Sequence, residues 1–169
     1  MQAIAAYERA FLYCGDTAFD RWRNGNENAV SASAKRGAEL FLGNAGCGKC
    51  HSGVLFTDLK VHNVGIGMDA PEPDTGRGKI TNDPKDTGAF KTPSLRDISK
   101  SAPYFHDGSV ATLEEAVDLM LGGGKPNPYL DKENLEKKTL TKDERADLLA
   151  FLRSLDCPCD LKAPVLPGQ

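Results

Sequence analysis

The chain has 169 residues, 40% hydrophobic and 27% charged, with a formal net charge of −3. That mixture belongs to one folded globular domain and excludes a disordered segment. Without a basic excess no nucleic-acid partner is expected, and without an apolar run near the ~20 residues a bilayer requires, no membrane span is expected either.

Ile4, Tyr7, Phe11 and Leu12 recur at helical spacing, so residues 2–13 read as an opening helix. The first residues, Met1 to Arg9, lack the basic start, long apolar core and cleavage site of a secretory leader. Either a leader has been removed or the chain is a piece of something longer. Phe19 and Trp22 suggest a short second turn of helix. Ser31 or Ser33 can cap a third, which carries Gly37, Leu40 and Phe41 on or near one face. A glycine four residues before a phenylalanine lets another helix backbone cross closely, while the ring fills the side of the crossing.

Directly after this helix comes Cys47-Gly48-Lys49-Cys50-His51. Two thiols three apart and followed at once by histidine form the attachment pattern for haem c. Each thiol can add across a haem vinyl group, and the adjacent imidazole is then held under the iron as its proximal ligand. Two other chemistries use paired cysteines. A zinc site would need a second pair, for which Cys157-Pro158-Cys159 is available, but one intervening residue is fewer than the usual two to four. A redox-active dithiol wants a strand-to-helix context rather than the glycine-rich run from Gly43 to Gly48. Haem is attached to such motifs in the periplasm or an equivalent oxidising space, where the chain is therefore expected. Aromatic residues make up only 7%, so a haem would supply much of the core and folding is expected to depend on it.

Residues 52–111 are rich in Gly, Pro, Asp and Thr and offer short strands or turns at most. Thr112 and Glu115 then form a capping box that opens a helix of about ten residues, ending at glycines 122–124 with Met120 in its last turn. A second capping box, Thr141 with Glu144, opens a final helix over 142–155. Its stripe of Leu148, Leu149, Leu152 and Leu155 should pack against the helix that carries Gly37. The tail from Asp160 is expected to lie across the surface. In an oxidising compartment Cys14 could pair with Cys157 or Cys159, leaving one thiol over.

An iron held by His51 can take a sixth ligand, for which the residues offer His62, His106, Met68 and Met120. Met120 gains from its place near a helix end, yet methionine as readily fills a gap in a core. His62 and His106 read better as hydrogen-bond donors to haem propionates or to backbone. The planar fork of Arg96 suits a propionate carboxylate.

The segment from Phe90 to Ile98 and the segment from Pro103 to Val117, which contains Tyr104-Phe105-His106-Asp107-Gly108, resemble the C-terminal, electron-transferring haem domain of the bacterial di-haem cytochrome c peroxidase and MauG family. Phe19-Asp20-Arg21-Trp22, Arg36 to Phe41, Val61 to Gly65 and Asp74 to Arg77 extend the likeness over most of residues 3–155. The resemblance implies an all-α, cytochrome c-like fold, with helices around one covalently bound haem and long irregular connections. It implies Met120, fourteen residues beyond His106, as the distal ligand opposite His51. MauG-type members have tyrosine there, and this chain departs from them. The family also binds calcium between its two domains, and the matching positions are the carbonyls of Ser101 and Pro103. Only one Cys-x-x-Cys-His is present, and the first thirty residues look like the segment that follows the peroxidatic domain. The implied division is a helix and connecting segment over 1–30, a haem domain over 31–156 and a tail over 157–169. The function expected is that of a mono-haem c-type cytochrome passing single electrons, with no catalytic residue of its own. Its partner would be a cytochrome, a small copper protein or a peroxidatic haem domain. The alternative is one part of a cytochrome c peroxidase, reducing hydrogen peroxide together with a separate peroxidatic haem domain.

Overall fold

A computed structural model describes residues 2–7 and 15–158. Helix α1 (Gln2–Tyr7) covers the first part of the expected opening helix. The rest of that helix, together with Cys14, Cys159 and the tail, lies outside the described residues. Helix α2 (Ala18–Arg23) opens on a capping box in which the Thr17 hydroxyl accepts the Asp20 N–H and the Asp20 carboxylate returns the bond. Ser31, rather than Ser33, caps α3 (Ala32–Leu42). The Ser33 hydroxyl instead donates 2.6 Å across to Asp147.

A 3-10 turn, Cys47–Lys49, follows α3. Strands β1 (Val61–His62) and β2 (Phe90–Lys91) pair antiparallel, with His62 opposite Phe90. Between them lies a short helix, α4 (Gly78–Thr81), that no sequence periodicity announces. Both later capping boxes form as expected, opening α5 (Leu113–Leu121) and α6 (Lys142–Arg153). Helix α6 ends two residues before Leu155. That residue is fully buried beyond the helix, and its carbonyl accepts the Asp97 N–H at 3.2 Å.

The crossing of α3 and α6 organises the core. A Cβ on Gly37 would stand 1.9 Å from the Asp147 carbonyl oxygen, so only glycine allows this approach. Phe41, Leu148, Leu149, Phe151 and Leu152 close around it, all buried. Four aromatic rings join the helices to the loops: Phe41 and Phe151 lie 5.0 Å apart, Phe19 lies 5.5 Å from Phe151, and Phe56 lies 5.3 Å from Phe19. Tilted and edge-on contacts of this kind add to the area they bury. Phe19 brings α2 into the core, and its N–H donates to the Ser154 carbonyl at the end of α6.

The stretch 52–111 is ordered by polar side chains. Asn63, 2% exposed, donates to the Thr87 carbonyl at 2.7 Å and accepts the Gly65 N–H at 2.8 Å. It also pairs with Asn127. Among the described residues no helix is long and apolar enough to cross a membrane.

Candidate functional site

The haem-attachment motif sits where α3 ends. Gly46, at a left-handed φ of 73°, turns the chain into the Cys47–Lys49 turn, which carries Cys47, Cys50 and His51. Both Cys47 and Cys50 are free thiols. Burial pushes each of them up to about 11, so they stay protonated at neutral pH. A redox-active dithiol wants the opposite, a lowered thiol pKa. The zinc reading loses its second pair, because Cys157 is disulfide-bonded to a partner outside the described residues. Cys14, expected to pair with Cys157 or Cys159, lies outside the described residues.

His51 is held in the form that binds iron. Its Nδ1–H donates 2.9 Å to the Phe56 carbonyl, leaving the lone pair of Nε2 for a metal. Burial pushes its pKa down, against the pull of that hydrogen bond, so the ring is neutral. Phe56 is 7% exposed and sits in the aromatic core, which ties the acceptor carbonyl to the packing of α2, α3 and α6. A cavity of about 460 Å³ opens beside this histidine, lined also by Phe19, Leu42, Val54, Phe56 and Arg96. The cavity wall is mixed, with Asp20, Arg23 and Asn24 beside the apolar residues, and the paired thiols with the oriented imidazole fit a covalent haem.

The other expected contacts fall out differently. His62 was expected to serve propionates or backbone, but both its ring nitrogens donate to carboxylates, Nδ1 to Asp131 at 2.5 Å and Nε2 to Asp58 at 2.9 Å. With a carboxylate at each ring nitrogen its charged form is favoured, a form that offers no lone pair to iron. Burial alone would lower its pKa, but the bonds to Asp131 and Asp58 raise it. Asp58, despite burial, is held at about 2. His62, Asp58 and Cys50 place one ligand atom each within 4.8 Å of one another, the one such set of three among the described residues.

His106 stacks on Phe90, 3.5 Å between centroids and 9° from parallel. Its Nε2 lies 3.6 Å from Asp74, beyond hydrogen-bond range. The fork of Arg96 grips Asp20, with Nη1 and Nη2 at 2.8 and 2.9 Å from the two carboxylate oxygens. The reason is electrostatic: two facing charges of opposite sign and matched geometry, both mostly buried, satisfy each other. Met120 is half-buried in the last turn of α5. Met68 packs its sulfur against Gly88, where a Cβ would stand 2.4 Å from it. Ser101 and Pro103 are exposed on either side of the cis Ala102–Pro103 bond.

Asp20, Asp58, Asp131 and the Phe56 carbonyl were not foreseen as site residues. The Asp20–Arg96 and His62–Asp131 pairs join positions 76 and 69 residues apart. Of the three carboxylates only Asp20 lies within a motif that carries the family resemblance.

The cytochrome c family profile matches residues 34–156. The methylamine utilization protein MauG of Methylorubrum extorquens is 43% identical over 98% of this chain and 46% of its own length. The cytochrome c551 peroxidase of Nitrosomonas europaea is 37% identical over the same shares. The chain therefore spans about half the length of the curated relatives it matches. Among solved structures, a MauG-like protein associated with microbial copper homeostasis superposes with a TM-score of 0.74 at 37% identity, over 86% of this chain and 53% of that one. With its single Cys-x-x-Cys-His motif set at the end of α3, the chain belongs to the cytochrome c family, among the relatives of MauG and the bacterial cytochrome c peroxidases.

Proposed function

We propose that this chain is a mono-haem c-type cytochrome unit that passes single electrons in the periplasm. Cys47 and Cys50 would hold the haem through thioethers, and His51 and Met120 would hold its iron from opposite sides. The observation that carries the reading is the His51 Nδ1–H bond to the Phe56 carbonyl beside two free thiols, which leaves Nε2 as a ready ligand. Once bound, the haem supplies a one-electron iron couple. The residues do the rest. Burial keeps His51 neutral and therefore able to ligate. The Phe56 carbonyl fixes its tautomer and strengthens its donor nitrogen. A thioether from Met120 would favour the ferrous state and close the sixth position to peroxide.

The test is to mature the chain with haem and titrate the ferrous protein with carbon monoxide. Slow, incomplete binding at neutral pH and no peroxide turnover are expected. Rapid, complete binding or turnover by the chain alone would overturn electron transfer as its sole role.

A second reading is favoured by the chain's spanning about half of relatives that include a named cytochrome c551 peroxidase. On that reading the same residues relay electrons to a separate peroxidatic haem domain, which reduces the peroxide. Calcium held by the carbonyls of Ser101 and Pro103 belongs with this reading, its other ligands coming from the other domain. Turnover that emerges only when such a domain is supplied distinguishes the two.

A further inference from the structure

We propose that Arg96, locked by Asp20 and assisted by Ser94, is a positioning residue for the iron-facing histidine, acting through the turn 53–56; this rests on the haem reading above. Three consecutive carbonyls of that turn each accept a side-chain donor. Val54 accepts Arg96 Nε at 2.7 Å, Leu55 accepts Ser94 Oγ at 2.7 Å, and Phe56 accepts His51 Nδ1 at 2.9 Å. The turn needs such holding. Phe56 sits at a φ of +53°, a conformation costly for a bulky residue. Val54 and Leu55 are 72% and 39% exposed, so burial does less to pin this half of the turn than it does at Phe56.

Arg96 is itself fixed. Its guanidinium stands over the Phe56 ring at 5.8 Å and grips both oxygens of Asp20, with side chains only 8% and 16% exposed. Asp20 is fixed in turn by the Thr17 cap, and Thr17 is fully buried. The path from α2 to the imidazole is thus continuous: Thr17, Asp20, Arg96, the turn's carbonyls, His51. A mostly buried ion pair adds little net stability over an apolar replacement of the same shape. Fixing a ligand's partner gives this one a use.

The consequence falls on the iron. A firm bond from Nδ1–H makes the ligating nitrogen a better donor and favours ferric iron, so a slack turn should favour ferrous. Removing the Arg96 cation alone would favour ferric iron by charge, the opposite sign. Charge-neutral changes therefore isolate positioning. One is Arg96→Lys, which keeps the charge and loses the fork. The other is the pair Asp20→Asn with Arg96→Gln, which leaves net charge unchanged.

In the haem-loaded ferrous protein, NMR should show the His51 Nδ1–H exchanging at least tenfold faster in both variants. The ferric/ferrous equilibrium should move about tenfold toward ferrous, roughly 59 mV for one electron. Variants that carry haem with exchange and potential within twofold of the parent would overturn the proposal, leaving the packing of Phe56 as the sole support. Should both variants fail to fold, Ser94→Ala tests the same turn: faster Nδ1–H exchange supports the clamp and unchanged exchange overturns it. A parent chain that takes up no haem defeats the functional reading instead, so the two failures are distinct.

Discussion

Where α3 crosses α6, Gly37 and a set of buried leucines and phenylalanines hold two regular helices together. In the stretch 52–111, turns and two-residue strands are held by side chains bonded to carbonyls and by carboxylates facing cations. The first region draws its stability from non-directional burial and tolerates variation in detail. The second depends on direction and distance, and one missing donor leaves a polar group unpaired. The motif sits at their junction: Cys47 follows α3, while the carbonyl that orients His51 belongs to the irregular stretch. A rigid frame thus supplies place, and polar clamps supply aim.

The sharpest way to break the first region is Gly37→Ala. A methyl 1.9 Å from the Asp147 carbonyl oxygen forces the helices apart, and a loss of about 4 kcal/mol or more is expected. Denaturant unfolding should show it as a lowered midpoint.

A smaller effect is expected in the second region from His62→Gln, about 2 kcal/mol at pH 6, from the loss of charged hydrogen bonds to Asp58 and Asp131. The pH dependence has a definite sign. The folded pKa of His62 is raised, so its contribution is full below the ordinary value of about 6.5 and is lost as pH rises through the folded value. Asp58 and Asp131 are depressed, so theirs is full above the ordinary 3.8 and is lost as pH falls through their folded values. The clamp should stabilise most between about pH 4 and 6.5. Melting temperatures across pH 5–9 should fall on the alkaline side for the parent, and that slope should flatten in His62→Gln.

The smallest of these effects is Thr112→Ala, which removes the cap of α5 at a cost of about 1 kcal/mol. It should lower thermal stability slightly and leave the His51 bond to Phe56 intact, because the cap lies outside the polar stretch that aims the imidazole.

The same contrast explains what could be read from the sequence. Capping boxes at Thr112 and Thr141, the leucine stripe of α6 and the close approach at Gly37 are local or periodic signals, and all emerge in the fold. The order of motif after helix was equally plain. Clamps were not, because Asp20 with Arg96 and His62 with Asp131 are single residues paired across long loops, with no period to reveal them. Arg96 is an example: its shape suits a carboxylate, but nothing in the sequence pairs it with Asp20. Helix α4 escaped notice for a related reason, being one turn with no buried face.

The proposed ligation of a haem iron by His51 and Met120 is the claim on which the functional reading most depends. The most direct measurement is the ferric visible spectrum of the haem-loaded chain beside that of Met120→Ala. A weak far-red band from sulfur ligation, present in the parent and abolished in the variant, is the result expected. A parent spectrum without that band, or a variant that keeps it, would contradict the account.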